Sequence, residues 1–214
     1  MVVTPGVFVP RVRSELLVDE VVGAVVQWQL VGFRARGRPT VTGLPTPRVL
    51  DLCCGSGAIG AAVAARVRRG AGRVEVWAAD VDPVAVVCAR QNLPSDRVLE
   101  GDLYDALPAD LRGSFDVVVV NAPYVPTGAL GTMPPEARDH EPRAALDGGT
   151  DGVDLHRRVA AGAREWLRGG GTLVVETSRQ QAPLTLAALA EAGLTGRVVP
   201  ADRRDATAVV GTAP

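Results

Sequence analysis

The chain contains no lysine: all 23 basic residues are arginine, set against 24 acidic ones for a net charge of −1. No global positive field draws it to nucleic acid. Aromatic residues make up only 4% of the chain, too few for the stacking surfaces that single-stranded bases need. There are three cysteines, Cys53, Cys54 and Cys88. They show no C-x-x-C spacing, and two of them end an apolar run, so small buried side chains are expected rather than a disulfide framework or a metal site. The two histidines, His140 and His156, lie too far apart to suggest a metal centre, and no metal is expected. No apolar run is long enough to span a bilayer and no signal segment opens the chain, which points to the cytoplasm. No internal repeat is present.

A hydrophobic fraction of 47% over 214 residues is ample for a core, in one domain or one domain with an appendage. Residues 1–46 read as an N-terminal segment, a helix and a linker, and 47–214 as the main domain. Ser14 is placed to cap a helix through Leu16, Leu17, Val21, Val22, Val25, Val26 and Leu30, apolar at helical spacing. Phe33 to Pro47 is rich in Gly, Pro, Arg and Thr and reads as a surface linker. Strands are predicted near 48–53, 73–79, 97–101, 115–120, 171–176, 196–200 and 206–211. Helices are predicted near 58–68, 83–92, 152–168 and 181–192, the second started by Asp82 and Pro83. Arg66, Arg68 and Arg69 end the first of these and complement its dipole. Alternation of this kind predicts a doubly wound α/β fold with a mostly parallel sheet. Pro123 to Gly152 has no periodicity and is long enough to be a functional loop or lid.

Two motifs carry chemistry. Arg48 to Cys53 is an apolar strand running into Cys54-Gly55-Ser56-Gly57-Ala58-Ile59-Gly60 and then an Ala-rich helix. Strand, glycine turn and helix bring a ligand against backbone amides, and a glycine there leaves room for its approach. The spacing also satisfies G-x-G-x-x-G, a weak signal by itself. Asp51 ahead of the turn suits a cationic amino-acid ammonium and repels a pyrophosphate, which favours S-adenosylmethionine over a dinucleotide. Asp80 ends the next strand about 20 residues past the glycines, where a carboxylate suits ribose hydroxyls. The second motif is Asn121-Ala122-Pro123-Tyr124, at the exit of the apolar run Phe115 to Val120. Such a run reads as a central parallel strand, and ligands bind at the carboxyl ends of those strands. An Asn amide oxygen and a backbone carbonyl held extended by the following Pro form a fork for both hydrogens of a planar –NH2 group, with Tyr124 as a wall.

Taken in order, these segments resemble the family of protein glutamine-N5 methyltransferases that modify peptide-release factors. The resemblance covers nearly the whole chain. It rests on Phe8-Val9-Pro10-Arg11 with Ser14 to Val18, on Asp51 to Gly60, and on Asn121 to Tyr124 against the family's N-P-P-Y. It rests further on Glu141 to Gly149 with Asp151-Gly152, and on Gly170 to Val175 leading to Glu176. The branch it resembles most has Ala second in the tetrapeptide and the run Met133 to Arg138. The resemblance implies a class I methyltransferase sandwich of seven strands with a C-terminal antiparallel hairpin. It implies S-adenosylmethionine as cofactor, S-adenosylhomocysteine as product and a release factor as protein partner. It assigns Asp51, Cys53, Gly55, Ser56, Gly57, Asp80, Asp102, Leu103 and Asn121 to the cofactor. Phe8, Pro10, Asn121, Ala122, Pro123, Tyr124 and Glu141 are assigned to the acceptor, with catalysis on the tetrapeptide.

Three departures stand out. Ala122 replaces the family's first Pro. Cys53-Cys54 replace a Gly and a small polar residue. Only Met1 to Val7 precede the Phe-Val-Pro-Arg segment, where the family carries a helical domain that helps recognise the protein partner. Three other readings stay open from sequence: an adenine-N6-type nucleic-acid amino methyltransferase, a small-molecule methyltransferase, and a cofactor-binding module without turnover. Charge and aromatic content weigh against the first.

Overall fold

The structure, a computed structural model, describes residues 1–35, 46–70, 72–132 and 142–214. Seven strands form one sheet in the order β3-β2-β1-β4-β5-β7-β6. In chain order they are β1 (Arg48–Leu52), β2 (Glu75–Asp80), β3 (Val98–Glu100), β4 (Phe115–Val120), β5 (Leu167–Thr177), β6 (Thr195–Ala201) and β7 (Ala206–Thr212). β1 to β5 pair in parallel, whereas β7 runs antiparallel to both β5 and β6. This is the expected class I methyltransferase topology with its final hairpin.

The described helices are α1 (Glu15–Ala35), α2 (Ala58–Arg69), α3 (Pro83–Ala89), α4 (Asp154–Trp166) and α5 (Ala182–Glu191). They cover both faces of the sheet. Val117 and Val119 of β4 join Leu17, Val21 and Val25 of α1 and Val63 and Val67 of α2 on one face. Val118 and Val120 join Val159, Ala160 and Ala163 of α4 and Leu189 of α5 on the other. Alternation along a strand buried on both sides explains why β4 is apolar almost throughout.

The structure corrects several boundaries. β5 starts at Leu167, because its register against β4 jumps from Phe115↔Leu167 to Val117↔Thr172. Gly169-Gly170-Gly171 absorb that bulge, Gly170 with φ 74°, and a glycine kink of this kind breaks the period-2 pattern. α3 ends at Ala89 rather than near residue 92. α1 reaches Ala35, so Phe33 to Ala35 are helical and not part of the linker; residues 36–45 of that linker lie outside the described residues. Ser14 ends a 3-10 turn, Val12–Ser14, that leads into α1, and its hydroxyl serves a distant partner.

Candidate active site

The carboxyl ends of β1, β2, β3 and β4 open onto a cavity of about 470 Å³. Phe8 and Pro10 of the N-terminal segment, Cys53 to Ser56, Asp80, Asp102 and Leu103, and Asn121 to Tyr124 all line it. Motifs spread over more than 110 residues therefore meet at one place.

The loop after β1 is held from below. Cys53, Gly55 and Gly57 have φ of 54°, 54° and 73°, three left-handed residues in five. A side chain in that region costs on the order of 1 kcal/mol, so Cys53 carries strain, as does Leu103 (φ 52°) across the cavity. Strain of this kind collects at ligand sites. Asp80 ties the loop down: Oδ2 accepts from Gly55 N at 2.8 Å and Oδ1 from Asp82 N at 3.0 Å. Burial raises the Asp80 pKa and those two N–H groups oppose the rise.

The glycines divide by role. A Cβ on Gly57 would sit 2.9 Å from Leu93 Cδ1, and one on Gly60 2.8 Å from Val76 Cγ1, so both serve packing of α2. Around the Cβ position of Gly55 nothing lies within 4 Å, so this is the glycine that leaves a ligand room.

Asp51 and Gly57 lie behind the cavity wall rather than in it. Asp51 is fully buried, and its Oδ2 accepts from Gly60 N at 2.9 Å. Gly57 is the N-cap of α2 and brings no side chain to cap it, so Asp51 satisfies one of the helix's free N–H groups from the neighbouring strand. Desolvation pushes the Asp51 pKa up to about 7, the nearby Asp80 charge adds to the rise, and the Gly60 N–H opposes it. Oδ1 has no hydrogen-bond partner, nor does the buried Oγ of Ser56. Asp102 is half exposed and bonded to Arg158 Nη2 at 2.8 Å, a partner the sequence did not signal. Burial, with Asp80 and Asp51 nearby, raises the Cys53 pKa. That thiol stays protonated and is no nucleophile.

At the exit of β4, Asn121 Nδ2 donates to Ser14 Oγ at 3.2 Å. The Tyr124 hydroxyl donates to Glu176 Oε1 at 3.3 Å, and its pKa is raised by burial and by the Glu176 charge, so it remains a neutral phenol. Arg13 lies over the Tyr124 ring, 5.7 Å from its centroid, and Arg11 over Phe8 at 5.3 Å. The Tyr124 carbonyl accepts from Gln181 Nε2 at 2.7 Å. Gly148 and Gly152 let the returning loop close on this exit, since a Cβ would meet Pro123 O at 2.8 Å and Tyr124 O at 2.4 Å respectively. Sequence reasoning missed Gln181 and the site roles of Ser14, Arg13 and Glu176; the paired glycines 148 and 152 were the visible signal for the loop. Glu141, expected on the acceptor side, lies outside the described residues, as do His140 and Met133 to Arg138. Among the described residues no His, Cys, Asp or Glu cluster is arranged for a metal, and no helix is long and apolar enough to cross a membrane.

Residues 40–133 match the family model of the methyltransferase small domain. The release factor glutamine methyltransferase of Streptomyces coelicolor is 40% identical over 181 residues, 84% of this chain and 58% of that protein. The ribosomal protein uL3 glutamine methyltransferase of Bordetella pertussis is 41% identical over 146 residues, 64% of this chain and 46% of the relative. The crystal structure of the release factor-specific protein-(glutamine-N5) methyltransferase of Alicyclobacillus acidocaldarius shares the fold at a TM-score of 0.53 and 22% identity, over 100% of this chain and 99% of that one. The chain spans between 58% and 66% of the length of the first curated relatives. By its motifs, its strand order and this similarity, the chain belongs to the release factor glutamine methyltransferase family.

Proposed function

We propose that the chain transfers a methyl group from S-adenosylmethionine to the side-chain amide nitrogen of a protein glutamine, leaving S-adenosylhomocysteine. One observation carries this reading: Asn121, Ala122, Pro123 and Tyr124 line the same cavity as the glycine loop and Asp80. The residues present suit the cofactor. The space at Gly55 is open, Asp51 Oδ1 and Ser56 Oγ are buried without partners, and Asp80 closes β2 with a carboxylate. When bound, S-adenosylmethionine supplies a methyl group on a cationic sulfonium.

Asp80 would receive the ribose hydroxyls and Asp51 would favour the methionine ammonium by its charge from behind the loop. Asp102, with Leu103, would face the adenine, while Cys53, Gly55 and Ser56 form the floor. An amide nitrogen is a poor nucleophile, because its lone pair is delocalised, and its N–H is too weakly acidic for side-chain bases. Orientation and exclusion of water are therefore what the protein contributes. The Asn121 oxygen and the Ala122 carbonyl would accept the two N–H groups, and Phe8, Pro10, Pro123 and Tyr124 would wall the acceptor. Glu141 is assigned to the acceptor side by its motif. Two relatives are named for protein substrates, a release factor and ribosomal protein uL3, and action on a protein of this kind in the cytoplasm is part of the proposal.

Mass spectrometry of each purified substrate after incubation with the chain and S-adenosylmethionine tests the reading. One added methyl group on a glutamine is expected, absent with Asn121→Ala. Methylation of nucleic acid or of a small amide in place of both proteins would overturn the protein-glutamine reading.

A further inference from the structure

This inference rests on the reading of the cavity as a site of amide methylation. It concerns a carboxamide that stands behind the acceptor wall. Gln181 is the N-cap of α5. It is 7% exposed and does not itself line the cavity. Its Nε2 donates to Tyr124 O at 2.7 Å and to Asp151 O at 3.0 Å, and its Oε1 accepts from Ser178 Oγ at 2.6 Å. Groups with a single hydrogen-bonding role fix every direction here. Backbone carbonyls only accept, so the NH2 end must face Tyr124 and Asp151. The Gln181 backbone N–H only donates, and it meets Ser178 Oγ at 3.2 Å, which leaves the Ser178 proton for Oε1. The amide therefore has one orientation, and both of its hydrogens have partners.

The two carbonyls belong to different segments. Tyr124 closes the tetrapeptide and lines the cavity. Asp151 lies in the returning loop, whose Ala145 and Leu146 also line the cavity. The loop already pairs with the strand exit: Val125 N donates to Leu146 O at 2.9 Å, Gly148 N to Val125 O at 2.8 Å and Thr127 N to Gly149 O at 2.9 Å. Those bonds join loop and exit to each other, whereas Gln181 joins both to α5, whose Ala182, Ala188 and Leu189 are buried in the core. The approach depends on Gly152. It has φ 79°, and a Cβ there would come within 2.0 Å of Gln181 Nε2. At its other end, Tyr124 donates its hydroxyl to Glu176 Oε1 at 3.3 Å. The end of β5 and the start of α5 thus hold this residue by its phenol and by its carbonyl.

We propose that Gln181 is a positioning residue for the methyl acceptor: by donating to Tyr124 O and Asp151 O together, it fixes the Tyr124 wall and the returning loop as one unit on the acceptor side. Both of its side-chain donors are used there. Loss of Gln181 should therefore weaken handling of the acceptor and leave the binding of the cofactor, on the glycine loop and Asp80, intact.

Two measurements test this. The first is steady-state kinetics of Gln181→Met, Gln181→Asn and Ser178→Ala with a purified release factor as acceptor, at temperatures well below each Tm. Gln181→Met keeps the length of the side chain without a donor, and Gln181→Asn keeps the amide but withdraws it by one bond. Each should lower kcat/KM for the acceptor about tenfold, the scale of one or two lost hydrogen bonds, with Kd for S-adenosylmethionine by calorimetry within about twofold of wild type. Ser178→Ala leaves both Nε2 donors in place and should cost less than about threefold. A lowered Tm with acceptor kcat/KM unchanged would make Gln181 structural only. An equal loss of cofactor affinity would mean that the whole cavity had slackened, and an equal loss in Ser178→Ala that the cap of α5 and not the two donors was at work. Any of these overturns the proposal. The second measurement needs no turnover: hydrogen exchange of the Val125, Thr127 and Gly148 amides, expected to be faster in Gln181→Met than in wild type while Val118 to Val120 are unchanged. Equal exchange in the two proteins overturns the proposal even if no glutamine is methylated. A wild type that methylates no glutamine, while Gln181→Met loosens these amides, overturns the functional reading alone.

Discussion

Replacing Asp51 by Asn removes one titrating group while keeping an oxygen that can accept from Gly60 N. The wild-type carboxyl has an ordinary pKa of 3.8 and is pushed up to about 7 in the fold, chiefly by desolvation. Between those values the folded chain holds a proton that the unfolded chain has lost. Stability therefore falls as pH rises, at about 1.36 kcal/mol per pH unit. The contribution is fully present below pH 3.8 and is lost as pH climbs through about 7. Over that interval it amounts to about 4 kcal/mol, or about 10 °C in Tm for a chain of this size. The raised carboxyls of Asp80, Asp116 and Glu176 act in the same direction, but they are present in both proteins and largely cancel in the difference. Thermal melts of wild type and Asp51→Asn from pH 4 to 8 isolate the effect. The variant should gain on the wild type as pH rises, and overtake it or nearly so by pH 8. Saturating S-adenosylmethionine should narrow the gap, because a cation near Asp51 favours its ionised form. Parallel melting curves for the two proteins across the range would refute the assignment of Asp51 as a buried, desolvated carboxyl.

Three further outcomes are expected. Asn121→Ala should cost about a hundredfold in turnover, roughly 2.7 kcal/mol, with a smaller change in cofactor affinity measured by calorimetry; Asn121→Asp should retain binding and still turn over slowly. Gly57→Ala puts a Cβ at φ 73° and 2.9 Å from Leu93 Cδ1, and left-handed strain plus crowding should destabilise by about 2 kcal/mol, read as a drop of about 5 °C in Tm. In hydrogen exchange, Thr127 to Thr132 and Arg143 to Ala145, short 3-10 turns of which the second lines the cavity at Ala145, should exchange faster than β4 and slow on addition of cofactor and acceptor; protection equal to that of Val120 from the start would remove the lid role.

The parts legible in the sequence are those that local physics decides. The run Val117 to Val120 announced a strand buried on both faces. The Cys53 to Gly60 stretch announced a glycine turn entering a helix, and Pro83 after Asp82 started α3, where Asp82 Oδ1 accepts from Val84 N at 2.8 Å. The tetrapeptide was visible because Asn, Pro and Tyr have distinct chemistry and follow a recognisable strand. The start of β5 was not visible, because a glycine bulge answers to the register of its neighbour rather than to its own residue types.

Roles were harder to read than positions. Asp51 looked like a cavity carboxylate, yet the packing of α2 on β1 buries it and gives it the Gly60 N–H. Gly57 and Gly60 looked like ligand-clearing glycines, yet Leu93 and Val76 are what they make room for. Asp102 has its charge met by Arg158, and Ser14 serves Asn121 across 107 positions of chain. By itself the sequence determined the alternation of strands and helices, the location of the two chemical motifs and the kinds of groups they contain, because propensity, periodicity and side-chain chemistry act over a few residues. The tertiary structure alone decided which carboxylate faces the cavity, which is sealed behind it, and which hydroxyl meets the Asn121 amide. Those outcomes depend on burial and on hydrogen-bond partners that only the closing of the sheet brings within 3 Å or so.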